Sequence, residues 1–169
     1  MVVLLVDGYN MIGAWEELQR LKDQDLGQAR DLLINQLAEY QAFTGDRVII
    51  VFDAYYVRGL EKKQKDHRVE VIYTKENETA DECIEKLVKQ VKNVKTKVYV
   101  ATSDYAEQRT IFAQGALRKS ARELYIETKN IEKEIEKEVT FHKHNQSSSR
   151  IPMNKEMRDL FEKWRRGNK

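Results

Sequence analysis

The chain has 169 residues and a formal net charge of +2, with 41% hydrophobic and 34% charged side chains. That length suits one domain able to bury roughly 70% of its unfolded surface, and so small a charge does not by itself mark a nucleic-acid binder. One cysteine excludes a disulfide framework and a multi-cysteine zinc site. No apolar run is long enough to span a membrane, and the N-terminus lacks the basic flank of an export signal, so the expected location is cytoplasmic.

Val2–Val6 is a short, continuously apolar run that reads as a strand covered on both faces, and Asp7 closes it. Gly8 follows, where the backbone turns sharply or a ligand comes close, and a short helix is expected over Ala14–Lys22. Leu32, Leu33, Leu37 and Tyr40 recur at helical spacing within Ala29–Phe43, and Gly45 ends that helix. Val48–Phe52 is the second strand, closed by Asp53, and Val69–Tyr73 the third. Thr79-Ala80-Asp81-Glu82 has the capping-box pattern and opens a helix to Val91. Val98–Ala101 is the fourth strand, and a helix from Asp104 to Gln114 follows it. A last long helix is expected over Arg118–Thr128 and on through Ile131, Ile135 and Val139. Phe141–Arg150, polar and rich in serine, reads as a loop. The tail from Pro152 reads as an amphipathic helix carrying Met157, Leu160, Phe161 and Trp164, with Trp164, like Trp15, expected to pack. Strands alternating with helices predict an α/β fold with a mainly parallel sheet. The whole chain, 1–169, reads as one domain with a helical extension from about 151.

In a parallel sheet the carboxyl ends of the strands share one edge, and ligands bind in the crevice there. If the fourth strand lies beside the first, Asp7 and Asp104 flank the point where strand order reverses. Asp53 then sits at the rim, and Asp81 enters from the start of its helix. Two carboxylates about 5 Å apart repel by about 3 kcal/mol at an effective dielectric near 20, so such a cluster calls for cations or protons. Hard oxygen ligands suit Mg²⁺ or Mn²⁺. Neighbouring helical residues point about 100° apart, so Asp81 and Glu82 divide the work. Asp81 is the better ligand, and Glu82 is explained by the cap. Asp104 also reads as a helix N-cap with Glu107 three residues on, and Asp7 also reads as an Asp-Gly turn. Asn10 could hold a metal-bound water or a phosphate oxygen, and a hydroxyl of Ser103 or Thr102 could orient the carboxylates.

Divalent cations in an acidic cleft suit phosphodiester hydrolysis. Arg58, Lys62, Lys63, Lys65 and Arg68 cluster after Asp53 in a stretch that also holds Tyr55, Tyr56 and His67, and Arg109, Arg118, Lys119 and Arg122 follow Asp104. Basic residues interleaved with aromatics suit single-stranded RNA.

Leu5-Val6-Asp7-Gly8-Tyr9-Asn10, Val51-Phe52-Asp53-Ala54, Glu78-Thr79-Ala80-Asp81-Glu82 and Thr102-Ser103-Asp104 together resemble the YacP-like NYN branch of the PIN-like nuclease superfamily. The likeness continues through Gln114–Leu124 and Phe161–Gly167. The resemblance implies a PIN-like three-layer sandwich and a Mg²⁺- or Mn²⁺-dependent endoribonuclease. Asp7, Asp81 and Asp104 match the family's metal-binding acids, with Asp53 and Glu82 behind them and Asn10 and Ser103 as polar supports. A ribosome-associated member implies mRNA and the ribosome as partners, with cleavage in the ribosomal A site.

Two other readings stand beside it. One is a non-catalytic RNA- or ribosome-binding module on the same fold. The other is a phosphoryl-transfer domain of receiver or dehalogenase type, but Tyr9 occupies the position where the dehalogenase pattern needs a second acid.

Overall fold

The computed structural model describes residues 1–56, 69–148 and 155–167. They fall into two compact units, Met1–Glu132 and Lys133–Lys169. In chain order the elements are β1 (Val2–Asp7), α1 (Gly8–Ala14), α2 (Glu16–Gln24), α3 (Leu26–Thr44), β2 (Arg47–Phe52), β3 (Glu70–Tyr73), α4 (Ala80–Val91), β4 (Lys97–Ala101), α5 (Tyr105–Ala113), β5 (Leu117–Lys119), α6 (Ala121–Ser148) and α7 (Lys155–Arg165). No helix among the described residues is long and apolar enough to cross a membrane.

The first unit holds one five-stranded sheet, all parallel, in the order β3-β2-β1-β4-β5. β1 lies at its centre. Leu5 pairs with Ile49 on one side and Val100 on the other, which brings Asp7, Asp53 and Thr102 to one edge. The chain moves outward from β1 to β2 and β3, then crosses back to place β4 on the other flank of β1. The expected reversal between the first and fourth strands is therefore the observed topology.

Both faces of the sheet are covered. Val3, Leu5, Ile49, Val51, Val98 and Val100 pack with Cys83, Ile84 and Val88 of α4 and Ile111 of α5. The alternate residues Leu4, Val6, Val48 and Ile50 are equally buried and face the other way. On that side α1, α2 and α3 contribute Met11, Ile12, Leu18, Leu33 and Leu37. Burial on two faces explains why these strands are continuously apolar rather than alternating.

Several local expectations need correction. Gly8 does not turn the chain; it opens α1 directly, with Asp7 as N-cap. The glycine is required for space, since a Cβ there would lie 2.3 Å from the Phe52 ring. That ring is held edge-on by Tyr9 and stacked on Tyr73. The helix expected over Ala14–Lys22 is two helices broken at Trp15, whose backbone is extended. Leu117–Lys119 is an edge strand rather than helix. Phe141–Ser148 is not a loop: it completes α6, because nothing from Ala121 to Ser148 is a glycine or proline that would stop the helical ladder.

In the second unit, α6 continues from Lys133 and α7 follows. Trp164 of α7 is 85% exposed rather than packed. Its helix is one of charged residues with an apolar stripe, and among the described residues none of its side chains is buried.

Candidate active site

Three carboxylates converge where the topology reverses. Asp7, Asp81 and Glu107 each offer an oxygen, and all three oxygens lie within 4.8 Å of one another. The backbone explains each position. Asp7 is the last residue of β1, carried to the sheet edge by the buried run before it. Asp81 lies in the first turn of α4 on the same face as Ile84 and Val88, which dock that helix on the sheet. Glu107 lies one helical turn before Ile111, so the packing of Ile111 turns Glu107 inward as well.

The acids carry the electrostatic cost of this arrangement. Asp7 is 9% exposed. Burial pushes its carboxyl up to about 7, against the pull of the Asn10 N–H, and the charges of Asp81, Asp53 and Asp104 push the same way. Glu107 is 3% exposed, and neither of its oxygens has a hydrogen bond of normal geometry. Burial raises it to about 8, with Asp81 and Asp7 adding to the rise and the Thr102 side chain opposing it. Asp81 is raised too, first by burial and then by Asp104. None of the ion pairs among the described residues reaches these three acids. A buried carboxylate beside two others, with no ion pair among the described residues, is what a hard divalent cation neutralises, so the donor set suits such a cation.

Asp104 stands just outside this trio. It is the N-cap of α5 and accepts the Ala106 N–H at 2.8 Å, while its charge still reaches Asp7 and Asp81. Asp53 accepts the Tyr55 N–H at 2.9 Å and acts on Asp7 and Asp81 through charge alone. Glu82 closes the capping box with Thr79. Asn10 ties two strand ends together: its N–H donates to Asp7 Oδ1, and its own Oδ1 accepts from both the backbone N–H and the hydroxyl of Ser103, at 2.9 and 2.8 Å.

The basic candidates separate. Arg109, Arg118 and Arg122 are exposed. Lys119 is instead bound inward, donating to Glu127 at 2.7 Å and to the Tyr40 hydroxyl at 3.1 Å. Arg58, Lys62, Lys63 and Arg68 lie outside the described residues.

Residues 4–166 match the YacP-like NYN domain family. The chain belongs to that family. This YacP-like NYN chain is 58% identical to the uncharacterized protein YacP of Bacillus subtilis (strain 168), over 99% of each. It is also similar to the crystal structure of Rae1 (YacP) from Bacillus subtilis, with 59% identity, a TM-score of 0.80, and coverage of 99% of this chain and 96% of the other. The W164L mutant of Rae1 superposes with a TM-score of 0.74 at 55% identity, covering 89% of this chain and 86% of the mutant. The parallel sheet of this NYN domain is thus the fold of that relative. Membership of the NYN family, with its acids clustered, suggests a nuclease.

Glu107 is the site residue that the sequence reading passed over. Its signal was present in the helical phase of α5, where Ile111 marks the buried face one turn on.

Proposed function

We propose that this chain is a metal-dependent endoribonuclease that cleaves mRNA in association with the translating ribosome. The observation that carries the chemistry is the convergence of Asp7, Asp81 and Glu107 with no basic side chain pairing them among the described residues. Asp7, Asp81 and Glu107 would hold the cation, with Asp104 adding charge beside them. When bound, Mg²⁺ or Mn²⁺ supplies Lewis acidity toward a phosphate oxygen and readies water for attack on phosphorus.

The chain's own residues do the rest. Asn10, held by Ser103, fixes the end of β1 against the turn after β4, so the carboxylates keep their spacing. Buried Thr102 stands beside Glu107 and stabilises its charged form. Exposed Arg109, Arg118 and Arg122 offer positive charge to RNA phosphates, which the acidic crevice would otherwise repel. The ribosome, the A site and the mRNA substrate rest on the family likeness.

Cleavage of RNA by wild type should be abolished by EDTA and by Asp81→Asn, with Asp81→Asn melting normally. EDTA-sensitive cleavage that persists in Asp81→Asn would sink the site. In cells, mRNA ends that depend on Asp81 only while the message is translated would support the ribosomal setting; ends independent of translation would remove it.

A further inference from the structure

A second feature opens on the same sheet edge. A cavity of about 470 Å³ is lined by Ala14, Trp15, Ser103, Ala121, Arg122 and Tyr125, from the segments that follow β1, β4 and β5. Its size lies within the usual range for small-ligand sites. Its walls are built. Trp15 and Tyr125 pack edge to face at 5.5 Å, and the Trp15 indole N–H donates to the Ala121 carbonyl at 2.9 Å. Ser103, on its rim, is the residue whose N–H and hydroxyl hold Asn10, and Asn10 in turn donates to Asp7. One chain of hydrogen bonds therefore joins the cavity rim to the acid cluster.

The charge of this cavity favours an anion beside an apolar group. Two helices begin at it. Ser120 and Glu123 cap α6 reciprocally and occupy its first N–H groups, while α2 starts at Trp15 with no side-chain cap and with Glu16 and Glu17 in its first turn. Helix N-termini carry partial positive charge and bind phosphates. Arg122 adds a guanidinium and takes part in no ion pair among the described residues. The remaining acid on the wall, Glu16, is already paired with Arg20.

Resting on the ribonuclease reading above, we propose that this cavity seats one nucleotide of a single-stranded RNA. The base lies on the half-buried Tyr125, over the buried Trp15, and its phosphate faces Arg122 and the uncapped start of α2. The cavity then fixes the register of the strand relative to the acid cluster.

The test follows the Trp15 indole N–H resonance in a Trp164→Phe background, where it is the sole tryptophan, with EDTA present so that no RNA is cut. Adenosine 5′-monophosphate and a short oligouridylate should both shift it, saturably. Arg122→Ala should weaken the binding by about tenfold, as expected for loss of a charged phosphate contact. Ala14→Leu, at an exposed position, should fill the cavity and remove the shift, while Asp81→Asn should keep it. No shift at millimolar nucleotide, an equal shift in Ala14→Leu, or a response to an acidic peptide alone overturns the proposal. If Trp15 responds but wild type cuts no RNA with Mg²⁺, the cavity stands and the nuclease reading falls. If Arg122→Ala and Ala14→Leu cut RNA as wild type does, with no Trp15 response, the reverse holds.

Discussion

Glu107 has its carboxylate almost closed off from water, with Asp7 and Asp81 beside it and no hydrogen bond of normal geometry on either oxygen. Without a cation, protons must relieve that charge. Asp7 and Glu107 are raised from 3.8 and 4.5 to about 7 and about 8, so between those limits the folded chain binds more protons than the unfolded one. Their contribution to stability is thus fully present below about pH 4 and is lost as pH rises through 7 and 8. For Asp7 alone the loss approaches about 4 kcal/mol, at about 1.4 kcal/mol per pH unit. Urea midpoints in EDTA should fall between pH 5 and pH 9, and Glu107→Gln should flatten that fall. A metal-free protein equally stable at both values would contradict this account. Glu107→Gln should also lower RNA cleavage by about two orders of magnitude, since the cation that these carboxylates would hold supplies several kcal/mol of transition-state charge stabilisation. Asp7 and Asp81 were legible in the sequence because each stands at a visible boundary, a strand end and a helix start. Glu107 was hidden because a glutamate three residues after an N-cap ordinarily reads as a capping partner. Here Asp104 takes the Ala106 N–H instead, and the packing of Ile111 decides where Glu107 points.

At the scale of elements, the join between β1 and α1 has no slack. The chain passes from strand to helix at Asp7–Gly8, and the missing Cβ of Gly8 is the space that the Phe52 ring fills. That ring is fully buried between Tyr9 and Tyr73, so it cannot yield. Gly8→Ala should therefore cost about 1–3 kcal/mol, the usual range for overpacking, read as a lower urea midpoint with little change in slope. It should also displace Asp7 and reduce cleavage more than stability. A variant of wild-type stability would show that the ring moves freely. A comparable contrast separates Lys119 from Arg118 on β5. Lys119→Met removes bonds to Glu127 and Tyr40 and should cost about 1–3 kcal/mol, whereas Arg118→Ser should leave the melting temperature unchanged. Equal melting of the two variants would mean that the half-buried ammonium contributes nothing. β1 and β2 were readable because burial on both faces leaves an unbroken apolar run, and β3 and β4 because β-branched residues and tyrosine recur in them. β5 was not, since Leu117–Lys119 is three residues, two of them basic, paired only to β4. Phe141–Ser148 misled for the opposite reason: a polar composition does not break a helix that contains no glycine or proline.

Across the whole first unit, the site is assembled from three stretches of chain that meet only because β4 returns to the flank of β1. A cation held by Asp7, Asp81 and Glu107 would cross-link β1, α4 and α5, so its binding should be felt by the entire fold and not by one loop. Unfolding scatters those acids, leaving the ion little affinity for the unfolded chain. At a free concentration one hundred times its dissociation constant, such a ligand adds about 2.7 kcal/mol of stability. For a protein of this length that corresponds to a rise in Tm of about 5–10 °C. The rise should be larger at pH 8 than at pH 6, because ions compete with the protons that burial places on Asp7 and Glu107. Asp81→Asn should lose most of it, and NaCl of matched ionic strength should not reproduce it. Thermal melts with MgCl₂ or MnCl₂ measure this directly. Equal gains in wild type and Asp81→Asn would assign the effect to general screening, and the three carboxylates would then be a protonated cluster rather than a metal site.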